Sequence, residues 1–493
     1  MCGIFGCKPA VDSWLAASID RQSNRGPDQA SKLIVGNIGL AINRLAITGN
    51  LDDGSQPVFS RSKKTLCIFN GALFNYKKLI KEFSLKPSSK NDAAVALELF
   101  ELIGVKFFNY IEGMFSLILV DLRENKMIVG RDVLGIKPLY YAFKEQQCVF
   151  SSSIAAIPKE MLPFVKAFPP GCIWFDDGKV KQIEPNIENK EDLESLIKSS
   201  VESHIPEEVR WGCSLSGGID SSIICAVAKK LGHKFNCYVL DAGSNEDKES
   251  AKLVASYLGL PLKVVKVSKE DVKMAIPIVV KALASYNATL ILGGLCTYFI
   301  SKEAAKDNLK VLLFGDGADE VFAGYDRYQA NNTKEELHRL LVKDQQNLWL
   351  SQNKRLDHAS MEVSIEARVP FQDLNLVWKS REISSRSEKD KNQFKNKALL
   401  RNFAKNLLPK EIVFREKCVM SKGSGLHKLL IEVGDEMWKD DYFRQVTRQE
   451  VNAYRAGNKL EIIFLRIYKN SYHFLSGNYE DLVSRKLYSA SLA

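Results

Sequence analysis

The chain has 493 residues, 45% of them hydrophobic and 26% charged, and Lys plus Arg exceed Asp plus Glu by ten. Such a length is too great for one ordinary core and predicts two or three domains of a soluble globular protein, each able to fold without staples. The positive balance suits a polyanionic small ligand or a nucleic acid but requires neither, because an evenly solvated basic surface accounts for it equally well.

Ten cysteines, at 2, 7, 67, 148, 172, 213, 225, 237, 296 and 418, lie mostly in apolar runs, with no C-x-x-C pair and no His at zinc spacing. This usage predicts reduced thiols and a cytoplasmic protein. No stretch approaches an uninterrupted apolar 18-mer, and the start lacks the basic-then-apolar plan of a signal peptide, so neither a membrane span nor secretion is expected. The opening MCGIFGC leaves three readings of Cys2: a nucleophile, half of a pair with Cys7, or buried bulk.

Up to about residue 180, short strand-like runs alternate with turn residues: KLIVGNIGLAINRLAIT, LCIFNGALFNY, FSLILVDLRENKMIVGRD, CVFSSS and GCIWFDDGKV. One helix, from Asp92 to about Leu102, interrupts this layered sheet pattern. The polar segment EPNIENKEDLE then separates it from a region where strands and helices alternate. VRWGCSL, FNCYVLD, LKVVKVS and LKVLLFG read as strands, while SSIICAVAKKLG and ESAKLVASYLG read as helices closing at Gly232 and Gly259. The alternation predicts a parallel sheet with ligands at the carboxyl ends of its strands.

LSGGIDSS, Leu215 to Ser222, lies between the first strand and first helix of that second region. Adjacent Gly217 and Gly218 let backbone N–H groups approach an anion, and the helix that follows presents its positive end. Ser216, Ser221 and Ser222 add hydroxyl donors. Asp220 sits comfortably beside phosphate only with a divalent cation between them, so the loop predicts a nucleotide with magnesium. It lacks the Lys of a G-x-x-x-x-G-K-[ST] loop and resembles the pyrophosphate loop of ATP pyrophosphatases. The second acidic loop, GDGADEVFAGY from Gly315, offers Asp319 as the second magnesium carboxylate and Asp316 near the reacting centre.

With MCGIFG, RGPD at Arg25, RLAI at Arg44, NG at Asn70, GRDVLGIKPLYY, SGGIDSS, GDGADEVFAGY, SIEARVPFQD and R-x-K at Arg415, the chain resembles the glutamine-dependent asparagine synthetases of bacterial and archaeal type. The resemblance implies an N-terminal-nucleophile αββα sandwich over residues 1–185, feeding ammonia to a Rossmann-like, parallel-sheet ATP pyrophosphatase domain over residues 190–493. It implies that aspartate is activated by ATP and Mg2+ to β-aspartyl-AMP, that pyrophosphate leaves, and that ammonia displaces AMP.

Residue roles follow from the same resemblance. Cys2, freed of Met1, is the nucleophile, with its α-amine as base; the ordinary pKa values of a thiol and an α-amine, roughly 8.5 and 7.7–8.0, allow this near neutrality. Asn70 and the Gly71 N–H form the oxyanion hole. Arg44 and Asp92 hold the two ends of glutamine, and Ile47 and Ala72 complete its pocket. Lys417 stabilises the leaving pyrophosphate, and Lys397 either shares that field or is a solvated helical lysine. Val239, Phe314 and Gly315 belong to the ATP pocket. Glu366 and Arg368 shape the acceptor site or form a structural ion pair. The partners implied are glutamine, aspartate and ATP, with no nucleic acid and no membrane, and with room for a homodimer.

Three departures stand out. The family's N-G-E becomes Asn70-Gly71-Ala72, which removes a carboxylate from the glutamine ammonium. Its A-S-E-x-K-A becomes Ser151 to Ala156 without either charge, where the halves are expected to communicate. Its S-G-E-G becomes Phe314-Gly315-Asp316-Gly317, shorter by one methylene at the carboxylate expected to deprotonate ammonia. Two other readings follow: a related ligase that adenylates a different carboxylate, and a catalytically weakened ATP- or glutamine-binding protein.

Overall fold

The computed structural model describes residues 2–49, 53–187, 191–329, 333–386, 395–444 and 455–472. The expected sheet-rich front is two six-stranded sheets. One has the order β10-β8-β9-β1-β3-β2, built from β1 (Cys2–Lys8), β2 (Gln29–Val35), β3 (Ile38–Arg44), β8 (Tyr140–Lys144), β9 (Gln147–Ser151) and β10 (Val165–Ala167). The other has the order β12-β11-β7-β6-β5-β4, from β4 (Val58–Phe59), β5 (Thr65–Leu73), β6 (Gly113–Asp121), β7 (Lys126–Arg131), β11 (Cys172–Phe175) and β12 (Val180–Gln182). The run from residue 32 to 48, which reads as one strand-like stretch, contains most of β2 and all of β3, folded back at Gly36.

Strict alternation explains the layers. Ile4, Leu40, Ile42, Leu66, Ile68, Ile118 and Val120 point into the gap between the sheets and form one apolar cluster. Cys67, Phe69, Leu117 and Leu119, one residue out of phase, face away and pack under the helix α3. Helices α1 (Asp12–Arg21), α2 (Tyr76–Glu82) and α3 (Asp92–Ile103) lie in this half, and α3 starts as the sequence predicts, with the Asn91 side chain accepting from Ala93 N at 3.0 Å. Cys7 is fully buried on the same strand as Cys2 but on the opposite face, which rules out a pair between them. All ten cysteines are free thiols.

The second half is a five-stranded parallel sheet, β15-β14-β13-β16-β17, from β13 (Trp211–Ser214), β14 (Asn236–Asp241), β15 (Leu262–Lys266), β16 (Val311–Leu313) and β17 (Glu366–Arg368). Helices α4 (Leu193–His204), α5 (Ile219–Lys230), α6 (Glu246–Leu258), α7 (Lys269–Leu283), α8 (Ala288–Lys306), α9 (Ala318–Val321), α10 (Asp326–Gln329), α11 (Lys334–Gln346) and α12 (Gln352–Met361) accompany it. Helix α6 closes at the left-handed Gly259 as predicted, and α5 starts two residues before the expected Ser221. Strand order proceeds outward from β13 to β15 on one side, while β16 and β17 lie on the other. The loops after β13 and β16 therefore diverge at a topological switch point and leave a crevice between them. Of the charged segment 184–194, residues 188–190 lie outside the described residues. Among the described residues, no single helix is long and apolar enough to cross a membrane.

Candidate active sites

Cys2 and Asn70 share the parity of the inward-facing residues of β1 and β5, and both stand at the same end of the sandwich. They meet there: Cys2 N donates to Asn70 Oδ1 at 3.0 Å. The Asn70 amide donates in turn to Ser152 Oγ at 3.3 Å and Ser116 Oγ at 3.4 Å. Ser152, within the altered stretch 151–156, thus supports the Cys2 strand from below and also accepts from Ile4 N at 3.2 Å. Gly71 has φ +155°, and a Cβ there would lie 2.0 Å from the carbonyl oxygen of Met114, so the β5–β6 register admits only glycine.

Burial pushes the Cys2 thiol above its ordinary range, against the pull of the Leu45 backbone N–H and the Arg44 guanidinium. Arg44 is buried and donates to the carbonyls of Thr48 at 3.2 Å and Gly49 at 2.9 Å. Asp92 accepts from Leu73 N at 2.7 Å and Ala93 N at 3.1 Å, and burial raises its carboxyl to about 6. The charges of Cys2 and Asp92 both act on Arg44, so the predicted nucleophile and both predicted substrate-holding groups lie near one another. Ile47 and Ala72 are both buried. Gln56, which carries no sequence signal, approaches Cys2 Sγ with its amide at 3.8 Å and clamps Phe69 through both backbone groups at 3.2 and 2.7 Å.

Glu366 and Arg368 form a buried ion pair at 2.6 Å, and Arg368 also donates to the carbonyl of His204 at 2.8 Å. The structure therefore favours the ion-pair reading, in an unexpected location. Their charges act on Asp92, and that of Glu366 on Cys2, so β17 lies near the predicted glutamine-holding residues. Burial raises the Glu366 carboxyl, and neighbouring positive charges, Arg368 and Lys137 among them, bring it to about 2.

In the second half, Gly217 (φ +70°) lies so close to α6 that a Cβ would meet Ser250 Cβ at 2.4 Å. The Ser216 and Ser221 hydroxyls lie 3.3 Å apart, and Ser222 Oγ donates to the Gly218 carbonyl at 2.7 Å. Across the crevice, Gly315 packs against Asp220 and Ser221, which brings the two acidic loops together. Leu215, Val239 and Phe314 are buried in the strands and turns behind them.

Lys397 is the tie between the loops. Its Nζ lies 2.5 Å from Asp220 Oδ2 and 2.7 Å from Asp319 Oδ1. It is buried, with φ +59°, just before the helix Ala398–Ala404; the alternative of a solvated helical lysine does not hold. Non-glycine residues occupy this backbone region at a cost, usually where a side chain must be aimed. Lys417 Nζ reaches Asp319 Oδ1 at 2.7 Å and stands 3.6 Å from the centre of the Tyr325 ring. Burial would raise the Asp319 carboxyl, but the two lysines outweigh it and hold it low; at Asp220 burial prevails over Lys397. Burial likewise lowers the Lys417 ammonium. Asp316 is held by Arg355 of α12 at 2.5 Å. Arg415, legible only as part of a motif, spans Ser216 O at 3.2 Å and Asp247 Oδ1 at 2.8 Å.

Hard oxygen donors on Asp220 and Asp319 suit a magnesium ion, and Asp220 Oδ1 is buried without a hydrogen-bond partner. Phosphate oxygens and water must supply the rest of such a shell, because among the described residues no three His, Cys, Asp or Glu side chains are grouped to hold a metal.

A family model described as a glutamine amidotransferase domain matches residues 1–167, and one described as asparagine synthase matches residues 192–336 and 329–456. Among similar curated proteins, asparagine synthetase B [glutamine-hydrolyzing] of Escherichia coli (strain K12) is 28% identical over 462 residues, covering 86% of this chain and 83% of that protein. A probable asparagine synthetase [glutamine-hydrolyzing] of Acanthamoeba polyphaga mimivirus is 27% identical over 494 residues, 90% of each. Another, from Schizosaccharomyces pombe (strain 972 / ATCC 24843), is 28% identical over 484 residues, 86% of this chain and 85% of that protein.

Proposed function

The chain belongs to the asparagine synthase family, and from that premise, with a glutamine amidotransferase domain ahead of it, we propose how its residues divide one reaction between two sites. The reaction is the ATP-dependent amidation of aspartate to asparagine with glutamine as nitrogen donor. Residues 1–185 release ammonia and residues 190–493 consume it, in the cytoplasm.

Cys2, once Met1 is removed, attacks the side-chain amide of glutamine; ammonia leaves, and water hydrolyses the thioester. Asn70 lies against Cys2 N, and its amide, with the N–H of Gly71, takes the oxyanion. Arg44 receives the substrate carboxylate in a planar fork, and Asp92 receives its ammonium. In the second site the backbone of Ser216 to Gly218 and the start of α5 cradle the phosphates, while Val239, Phe314 and Gly315 back the nucleoside. Lys417 and Lys397 stabilise the leaving pyrophosphate, and Asp316 receives a proton from ammonia as it attacks the β-aspartyl carbon. Asp220 and Asp319 hold Mg2+, which when bound neutralises phosphate charge.

The observation that carries this reading is the convergence of Asp220, Asp319, Lys397 and Lys417 within 2.5 to 2.7 Å contacts at the switch point of the parallel sheet. Its test is incubation with ATP-Mg, glutamine or ammonium, and a panel of acidic amino acids, reading pyrophosphate and the product. Asparagine is expected from aspartate. Pyrophosphate only with another acid indicates the related ligase, and none under any condition indicates a binding protein.

Two smaller predictions concern glutamine. Ala72 leaves Asp92 as the sole carboxylate for the ammonium, and one charge-assisted hydrogen bond is worth about 1.5–3 kcal/mol, so Ala72→Glu lowers the KM for glutamine roughly ten- to hundredfold. An unchanged KM would refute this role for the missing carboxylate. The second is a pH effect. With its carboxyl at about 6, Asp92 loses charge as pH falls through that value, so the KM for glutamine rises below pH 6, by up to roughly tenfold per unit. Initial rates between pH 5 and 8 should show this rise in the parent chain and not in Asp92→Asn.

A further inference from the structure

Helix α12 belongs to the synthetase half, yet its two sides grip different halves of the molecule. On one side, Gln352 donates to Glu320 and to Tyr325 Oη at 3.0 Å, and Arg355 holds Asp316 at 2.5 Å; all three partners belong to the acidic loop of the ATP crevice. The other side faces the glutaminase half. Asn353 Nδ2 donates to Leu134 O at 3.3 Å, Asp357 pairs with Arg25 at 2.7 Å and lies 3.7 Å from Lys137, and the His358 ring meets Tyr140 Oη at 3.0 Å. Spacings of three and four put 352 with 355 and 353 with 357 along separate stripes of the helix.

Arg25 makes a second contact that gives the pair a meaning. While its terminal nitrogen holds Asp357, its Nε donates to the carbonyl oxygen of Cys2 at 3.3 Å. Arg25 and Asp357 are both buried. A guanidinium can serve two acceptors in fixed directions, which an ammonium cannot. Burial pushes the Asp357 carboxyl up, but Arg25 and Lys137 outweigh it and keep it ionised. Arg25 thus links the backbone of the nucleophile, by a hydrogen bond, to a carboxylate of the other domain, by a buried ion pair.

We propose that Asp357 is a positioning residue for glutamine hydrolysis: through Arg25 it fixes the Cys2 main chain, so the glutaminase site is completed by helix α12 of the synthetase half. The inference rests on Cys2 being the nucleophile, and the assays below separate the two. Asp357→Glu keeps the charge but lengthens the arm by roughly 1.5 Å. Arg25→Lys keeps the charge but cannot hold both acceptors at once. An ångström of misplacement can cost about a hundredfold in rate.

In the full chain, each variant is expected to lower kcat for glutamate release at least roughly tenfold, with the KM for ATP and the ammonia-dependent rate of asparagine formation unchanged. The double variant is expected to be no worse than the poorer single one, because both act through one chain of contacts. Unchanged glutamate release in both variants overturns the proposal. So does parallel loss of ammonia-dependent synthesis, including by misfolding, since that marks a merely structural pair. If Cys2→Ala leaves glutamate release intact, it is the nucleophile assignment that fails.

Discussion

Cys2→Ala is expected to abolish glutamine-dependent asparagine formation, by a factor on the order of 10⁴ or more, while ammonia-dependent formation proceeds at the parent rate. The substitution removes only a thiol from the end of β1, and the pairing of that strand with β3 and β9 is made by backbone groups that alanine retains. Asp220, Asp319, Lys397 and Lys417 lie in the other sheet's crevice, paired with one another. Glutamate release and asparagine formation, each with glutamine or with ammonium chloride as donor, give the four rates needed. Loss of the ammonia-dependent rate as well would contradict a division into two sites.

Lys417→Met is expected to lower pyrophosphate release by about 10²–10³ with either nitrogen donor, because removal of a positioned charge from a developing anion costs that much at one site. The effect should be equal with glutamine and ammonia, since adenylation precedes the step at which the two routes join. Lys397→Met should be at least as damaging and should also lower thermal stability: Lys397 is the only one of the two lysines that touches both carboxylates. Removing one partner of a buried ion pair typically costs about 3–5 kcal/mol. Pyrophosphate assays and thermal melts of the two variants distinguish a charge that serves the reaction from one that mainly holds the loops together.

The sequence made legible what depends on near neighbours. The run LCIFNGALFNY marked a strand that carries Asn70, and the glycine, serine and aspartate pattern of 215–222 marked a phosphate loop. A helix beginning at Asp92 followed from its apolar spacing. Lys397 was ambiguous because helical periodicity says which face a residue occupies, not whether another loop 177 positions away covers that face. Glu366 and Arg368 stood between shaping the acceptor site and forming an ion pair, and their place near Cys2 depends on how the edge strand β17 meets the other domain.

Through its resemblance to a family the sequence implied a nucleophile and an oxyanion site; by itself it marked a strand-rich front, the alternation of strands and helices behind it, a phosphate cradle and two acidic groups. These are short-range properties, set by side-chain period, turn chemistry and backbone sterics. Only the tertiary structure decided that Lys397 bridges Asp220 and Asp319, that Arg355 holds Asp316, and that Arg25 joins the Cys2 carbonyl to Asp357. The reason is that a buried charge must find a partner wherever packing places one, and that partner is chosen by the docking of layers rather than by position along the chain.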